Sequence, residues 1–135
     1  MASRLPAVLA GVLFAAQGAL AAESAALDVA AVRSLLGGNT LDAVTALKRF
    51  EGQPFRLHLR ADGTLVIVNF DGRQDGGTWE VTADGQYCSQ YAQTRKGMRK
   101  CFQVRDAGHG RFEMRTPEGE LSSTFTVRKG NPDGL

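Results

Sequence analysis

The chain has 135 residues, 43% of them hydrophobic, with 16 basic against 14 acidic side chains and a formal charge of +2. So even a balance argues against a dedicated nucleic-acid binder, whose domains carry a strong basic excess. The length supports one domain with a modest core.

The amino terminus carries the three-part layout of a secretory signal peptide: the basic start Met1-Ala2-Ser3-Arg4, an apolar run over residues 7–16, and the small-x-small site Ala19-Leu20-Ala21. The expectation is cleavage after Ala21, leaving residues 22–135 as a single domain and lowering the charge by one through loss of Arg4. The competing reading is an uncleaved membrane anchor. A spanning helix needs about 20 consecutive apolar residues; this run is roughly half that and is interrupted by Gln17 and Gly18. No second long apolar stretch follows, and no cysteine at the cleavage site indicates a lipidated terminus. The expected location is periplasmic or secreted, with no membrane span after cleavage.

Beyond the leader, Asp28 is a plausible N-cap for a short helix whose Val29, Val32, Leu35 and Leu36 share one face, with Gly37 as the left-handed residue that ends it. Residues 40–50 carry a weak strand pattern. Phe55, Leu57 and Leu59 alternate with Arg56, His58 and Arg60, which reads as a half-buried strand. Asp62-Gly63 turns the chain into a β-branched strand over residues 64–70. Residues 71–77, with three glycines, read as the most loop-like stretch of the domain. Trp79 and Val81 mark the next strand, Asp84-Gly85 a hairpin turn, and residues 86–91 a strand with Tyr87, Ser89 and Tyr91 opposite Cys88. After a polar segment at 92–97, three more strands are predicted over residues 98–105, 111–115 and 120–128, and a Gly-Asn-Pro-Asp-Gly tail follows.

These elements predict a mostly all-β domain: about eight antiparallel strands in a meander or lipocalin-like barrel, with one short N-terminal helix closing an end. Short connections force antiparallel neighbours, and closure removes exposed edges. The predicted inward set is Phe55, Leu57, Leu59, Trp79, Val81, Phe102, Val104, Phe112, Met114, Phe125 and Val127. The runner-up is an open sheet with the helix across one face.

Cys88 and Cys101 are the only cysteines, and in an oxidising compartment such a pair points to one disulfide. The alternatives are a redox pair, which usually has C-x-x-C spacing, or a metal site, which needs ligands that His58 and His109 are not spaced to supply. Both histidines are expected to face solvent. Asp71, Asp75 and Glu80 are near enough in sequence to suggest a calcium site, but their spacing does not match a calcium loop, and surface acids explain them better. No nucleophile elbow or H-E-x-x-H motif is present, and no catalytic residue, metal or cofactor is predicted.

Two features are candidates for binding. Seven bases, Arg95, Lys96, Arg99, Lys100, Arg105, Arg111 and Arg115, face only Asp106 and Glu113 in their stretch of chain. If their strands pair, a basic outer stripe forms that suits an anionic envelope component or an acidic protein; the alternative is a solvated strand face. Trp79, Tyr87 and Tyr91 form the second candidate, as walls of a pocket for an amphipathic ligand or as ordinary core with polar tips.

Gly37-Gly38-Asn39-Thr40, Asp62-Gly63-Thr64, Gly77-Thr78-Trp79, Asp84-Gly85-Gln86-Tyr87-Cys88, Cys101-Phe102-Gln103-Val104 and the terminal Gly130-Asn131-Pro132-Asp133-Gly134-Leu135 form an ordered series. In these positions the chain resembles a group of small exported proteobacterial proteins with a lipocalin-like β-sheet fold. The resemblance spans nearly all of residues 22–135. It implies the fold and carries over no catalytic residues. The resulting expectation is a non-catalytic exported binding or interaction module. Its alternatives are a small-ligand carrier using the barrel interior, or a cell-wall hydrolase inhibitor inserting residues 71–77 or 92–97 into a cleft.

Overall fold

Side chains over residues 40–128 alternate between a dry and a wet face, and the strands bury the dry face by curling onto themselves. The computed structural model describes Ser3, Gly11, Val12 and residues 24–135. Apart from those three positions, the expected leader at residues 1–21 lies outside the described residues. The strands are β1 (Ala25–Ala26), β2 (Thr40–Thr45), β3 (Pro54–Leu59), β4 (Thr64–Val68), β5 (Gln74–Val81), β6 (Gln86–Tyr91), β7 (Lys100–Gly108), β8 (Arg111–Arg115) and β9 (Leu121–Arg128). One helix, α1 (Val29–Leu36), precedes β2, a 3-10 turn covers Lys48–Phe50, and a tight turn with left-handed residues covers Thr94–Gly97.

Strands β2 to β9 pair antiparallel with their sequence neighbours, and β9 returns to pair with β2, so eight strands form a closed barrel. The closing register sets Leu41 opposite Val127 and Ala43 opposite Phe125. Strand β7 outruns its partner β6, and β1 occupies the vacated edge at Arg105 and Asp106 from outside the barrel. Among the described residues, no helix is long and apolar enough to cross a membrane.

Asp28 caps α1 as expected, its carboxylate accepting from the Ala31 amide at 2.8 Å. The helix lies across one end of the barrel with Val32 and Leu36 fully buried in the common core. Its termination differs from expectation. Gly37 keeps a negative φ, and Gly38, at φ 77°, is the left-handed residue. The reason is steric and topological. Gly37 passes close to the Trp79 ring, while the reversal at Gly38 lets its amide reach the Leu59 carbonyl at 2.7 Å and starts β2 in register.

All eleven residues of the predicted inward set lie in the core or pack against it. The loop expected at residues 71–77 is shorter than anticipated, because β5 begins at Gln74 and runs through Gly76 and Gly77. Gly77 stands opposite Tyr91 where β5 and β6 draw together, and a Cβ there would lie 2.2 Å from the Gln90 carbonyl oxygen. These glycines therefore belong to a tight pair of strands, and not to a turn.

His58 is a third correction. It lies on the outward phase of β3, as its neighbours Arg56 and Arg60 implied, yet only 6% of it is exposed. The C-terminal tail folds back over this face. Thr40 Oγ1 donates to the Gly130 carbonyl at 2.8 Å and lies 3.1 Å from His58 Nδ1. Asp133 then bridges Arg128 and Arg56, and Arg128 also grips Asp42. The Arg128 guanidinium, followed by Arg56, holds the Asp133 carboxyl far below the usual carboxylate range. His109 is exposed as expected, at a left-handed position in the β7–β8 turn.

Cys88 and Cys101 face each other across β6 and β7 as a disulfide, with Cα atoms 4.0 Å apart. Replacing both with serine should lower stability by about 3 kcal/mol, read from urea unfolding under non-reducing conditions. Gly77→Ala should cost about 1–3 kcal/mol by overpacking the β5–β6 approach. The same denaturation experiment on Gly76→Ala, where the nearest atom to an added Cβ is 3.9 Å away, should show a much smaller loss.

Candidate functional site

The two ends of the barrel differ. Helix α1 plugs one end, and Trp79 packs beneath it, with its indole N–H donating to the Arg60 carbonyl at 2.8 Å and its ring 6.5 Å from that of Tyr87. The other end is ringed by the β2–β3, β4–β5, β6–β7 and β8–β9 connections. A cavity of about 400 Å³ opens there and reaches down between the strands. Its walls are largely apolar: Leu47, Phe50, Phe55, Phe70, Phe102 and Met114. The large side chains at the rim, Phe50 and Phe70, are 47% and 58% exposed. Tyr87 and Tyr91 line this cavity as predicted, whereas Trp79 does not; it belongs to the closed end.

Alternation along β6 turns Tyr87, Ser89 and Tyr91 inward together, and all three are buried. Burial pushes both phenols above their usual range, Tyr87 the more strongly, so each keeps its proton at neutral pH. The Tyr87 hydroxyl lies near those of Ser89 and Tyr91 but meets hydrogen-bond geometry with neither.

Arg95 enters this chamber from the β6–β7 connection. Its Nη2 donates to Ser89 Oγ at 2.6 Å, and its guanidinium carbon stands 4.6 Å from the Tyr91 ring centroid and 5.8 Å from that of Phe102. Nη1 is buried and has no partner. Two features of the chain hold the side chain in this pose. Arg95 and Lys96 both adopt left-handed backbone, at φ 56° and 55°, which costs a non-glycine residue about 1–2 kcal/mol. Asp75, on the inward phase of β5, accepts from the Thr94 amide at 2.7 Å and the Gln93 amide at 2.9 Å. Those bonds, the Thr94 amide foremost, keep the Asp75 carboxyl below its usual range.

The seven bases of the expected stripe are dispersed. Strands β7 and β8 do pair, but Arg95 points into the barrel and Arg99 forms an ion pair with Glu80. Arg105 is held by Ser24 and Gln103, and Arg115 by Glu113 and the Gly119 carbonyl. Lys96, Lys100 and Arg111 form no ion pair among the described residues. Lys100, paired with Ser89 across the sheet, stands at the rim of the cavity. Arg111 borders a separate groove of about 530 Å³ over the outward face of β9, β2, β3 and β4. That groove has a mixed lining, and its charged members Asp42 and Arg56 are already engaged, with Arg128 and Asp133 respectively.

Asp71, Asp75 and Glu80 do not converge. Asp71 pairs with Arg73, Asp75 caps loop amides and Glu80 holds Arg99. Nor do the segments a hydrolase inhibitor would insert project as open loops: most of 71–77 is spent on β5, and 92–97 is a tight turn pinned by Asp75.

Sequence reasoning found Tyr87, Tyr91 and Arg95 but assigned Arg95 to the outer surface. Nothing local marks two consecutive left-handed non-glycine residues. A usable signal was present in Ser89 and Ser123, small hydroxyls among aromatics on the inward phase, which leave room that a filled core would not.

The depressed Asp75 carboxyl gives a pH prediction. Its hold on the loop is present above the unfolded-state value of about 3.9 and is lost as pH falls through the lower folded value. Protection of the Gln93 and Thr94 amides, measured against the intrinsic exchange rate at each pH, should therefore fall as pH drops through that lower value, and Asp75→Asn should lower it at neutral pH. Unchanged exchange in that variant would show the loop to be held by other contacts.

No protein-family model, curated protein or solved structure matches the chain, which leaves the chemistry of this site as the ground for a functional reading.

Proposed function

We propose that this chain is an exported, non-catalytic binding module that receives one small amphipathic molecule in the open end of its barrel. The observation that carries the reading is the apolar cavity of about 400 Å³ inside a closed sheet, with a few polar groups converging in it. Binding sites for small ligands have this size and this lining. The groups gathered there are phenols, hydroxyls, the Gln53 and Asn69 amides, the Arg95 guanidinium and, at the rim, Lys100. Burial holds both phenols in their protonated form at neutral pH, and that favours binding over acid–base chemistry by the tyrosines.

Export to the periplasm or beyond is supported by the N-terminal pattern and by the disulfide, which persists in oxidising compartments. The anionic partner expected of the basic hairpin is reassigned in this reading. Arg95 inside the chamber and Lys100 at its rim direct positive charge toward what enters the barrel.

Two experiments test the proposal. Mass spectrometry of protein purified from its own cell envelope should give a chain beginning at Ala22 and, under native conditions, a co-purifying small molecule. Protein stripped of ligand should bind a neutral solvatochromic dye at one per chain with blue-shifted emission. Phe50→Glu and Phe70→Glu, both at exposed positions where a charge leaves the fold intact, should weaken that binding. A stripped protein that gives no dye signal, or rim variants that bind as well as the parent, would remove the cavity from consideration.

A further inference from the structure

The chamber contains two buried polar atoms without partners, the Tyr87 hydroxyl and Arg95 Nη1. Buried polar groups are nearly always hydrogen-bonded, and an unpaired one marks a group awaiting a partner. The guanidinium has its other nitrogen on Ser89 and its faces toward Tyr91 and Phe102, yet no carboxylate pairs with it among the described residues. Arg95 as a whole is half-buried, but its Nη1 is shielded from water among apolar side chains, and a shielded cationic donor favours an anionic acceptor. The Tyr87 phenol, still protonated at neutral pH and without a partner, is a second donor lining the same cavity.

Building on the cavity reading above, we infer that the ligand is a carboxylate amphiphile bound head inward, one oxygen accepting from Arg95 Nη1 and the other from the Tyr87 hydroxyl. Its apolar body runs outward past Leu47, Phe50 and Phe70 to the open end. A carboxylate supplies two acceptor oxygens and one charge, which matches two donors and one cation. A dianionic phosphate monoester would bring a second charge, and the other cation lining the cavity, Lys100, stands at its exposed rim and not beside the Tyr87 hydroxyl. A neutral alcohol leaves the guanidinium uncompensated, and an amine head is repelled by it. The pose has a built-in cost, since Arg95 is turned inward by two consecutive left-handed residues, and strain of that kind collects at ligand clamps.

The test uses the processed, ligand-stripped protein and three probes of equal chain length, decanoate, decanol and decyl phosphate, followed by calorimetry or dye displacement at pH 7. Decanoate should bind at least about tenfold more tightly than either of the others, in line with a charge-assisted hydrogen bond made to one head and not the rest. Arg95→Met should bring decanoate down to about the level of decanol, with a much smaller change for decanol, whose neutral hydroxyl makes no charge-assisted bond. Tyr87→Phe should weaken decanoate several-fold, weaken decanol less, and raise the melting temperature of the stripped protein, because it removes a buried hydroxyl that has no partner. If Arg95→Met does not fold, Tyr87→Phe carries the test. Decanol or decyl phosphate binding as tightly as decanoate, a preference for decanoate that survives Arg95→Met, or a Tyr87→Phe variant that melts lower than the parent would overturn the head-group assignment and leave the cavity reading standing. Failure of all three probes and the neutral dye to bind would overturn both.

Discussion

The pairing of β9 with β2 is the contact on which the rest depends. Until Leu121–Arg128 lies against Thr40–Thr45, the sheet has two edges of unpaired amides and carbonyls and an apolar face open to water. Once it closes, Leu41, Ala43, Phe125 and Val127 meet across the seam, and the inward phases of all eight strands enclose one space. The outer side of the seam is fastened separately. Arg128 on β9 grips Asp42 on β2, and Asp133 in the tail grips Arg128 and Arg56 together. Such exposed pairs contribute little individually. Their position matters more, because they lay the tail across β2 and β3 and bury Thr40 and His58 beneath it.

Closure also makes the two ends chemically unlike. At one end the helix brings Val32 and Leu36 down over Trp79, so the core there is filled. At the other end no α-helix lies among the described residues, and Ser89, Ser123 and the phenols occupy inward positions beside aliphatics such as Leu57 and Ile67. Small hydroxyl side chains on an inward phase cannot fill the width of an eight-stranded barrel, so space remains. The same strand that supplies Ser89 and the phenols also carries the disulfide on its other face, through Cys88. That bond ties β6 to β7 immediately below the connection that delivers Arg95. The covalent link and the Asp75 carboxylate bracket the loop from two sides, and the strained backbone at Arg95 and Lys96 is held between them.

The guanidinium of Arg95 has consequences for affinity as well as specificity. Within the chain it contacts Ser89 and the faces of two aromatic rings, and its shielded Nη1 has no acceptor. A cation–π contact at this distance is worth about 0.5–2 kcal/mol, and it leaves that donor unsatisfied. A ligand that completes the pairing gains in a low-dielectric surrounding, where a charged hydrogen bond is stronger than in water. The aromatic rim then adds apolar burial that does not depend on head group.

Alternation, turn residues and capping, all local properties, were enough to determine the eight strands of the barrel (though not the added edge strand Ala25–Ala26), the helix with its Asp28 cap, the cysteine pairing and much of the core. Each follows from residues close together in the chain or from a period of two along a strand. What escaped local reading depended on distant segments. Gly76 and Gly77 look like a loop until β6 is placed against them. His58 looks exposed until the tail, more than seventy residues later, covers it. Arg95 sits in a polar, basic stretch and reads as surface. Only the closed barrel, with Asp75 fixing the neighbouring amides, turns it inward, because the direction of a loop side chain is set by the backbone bonds that the rest of the fold makes to that loop.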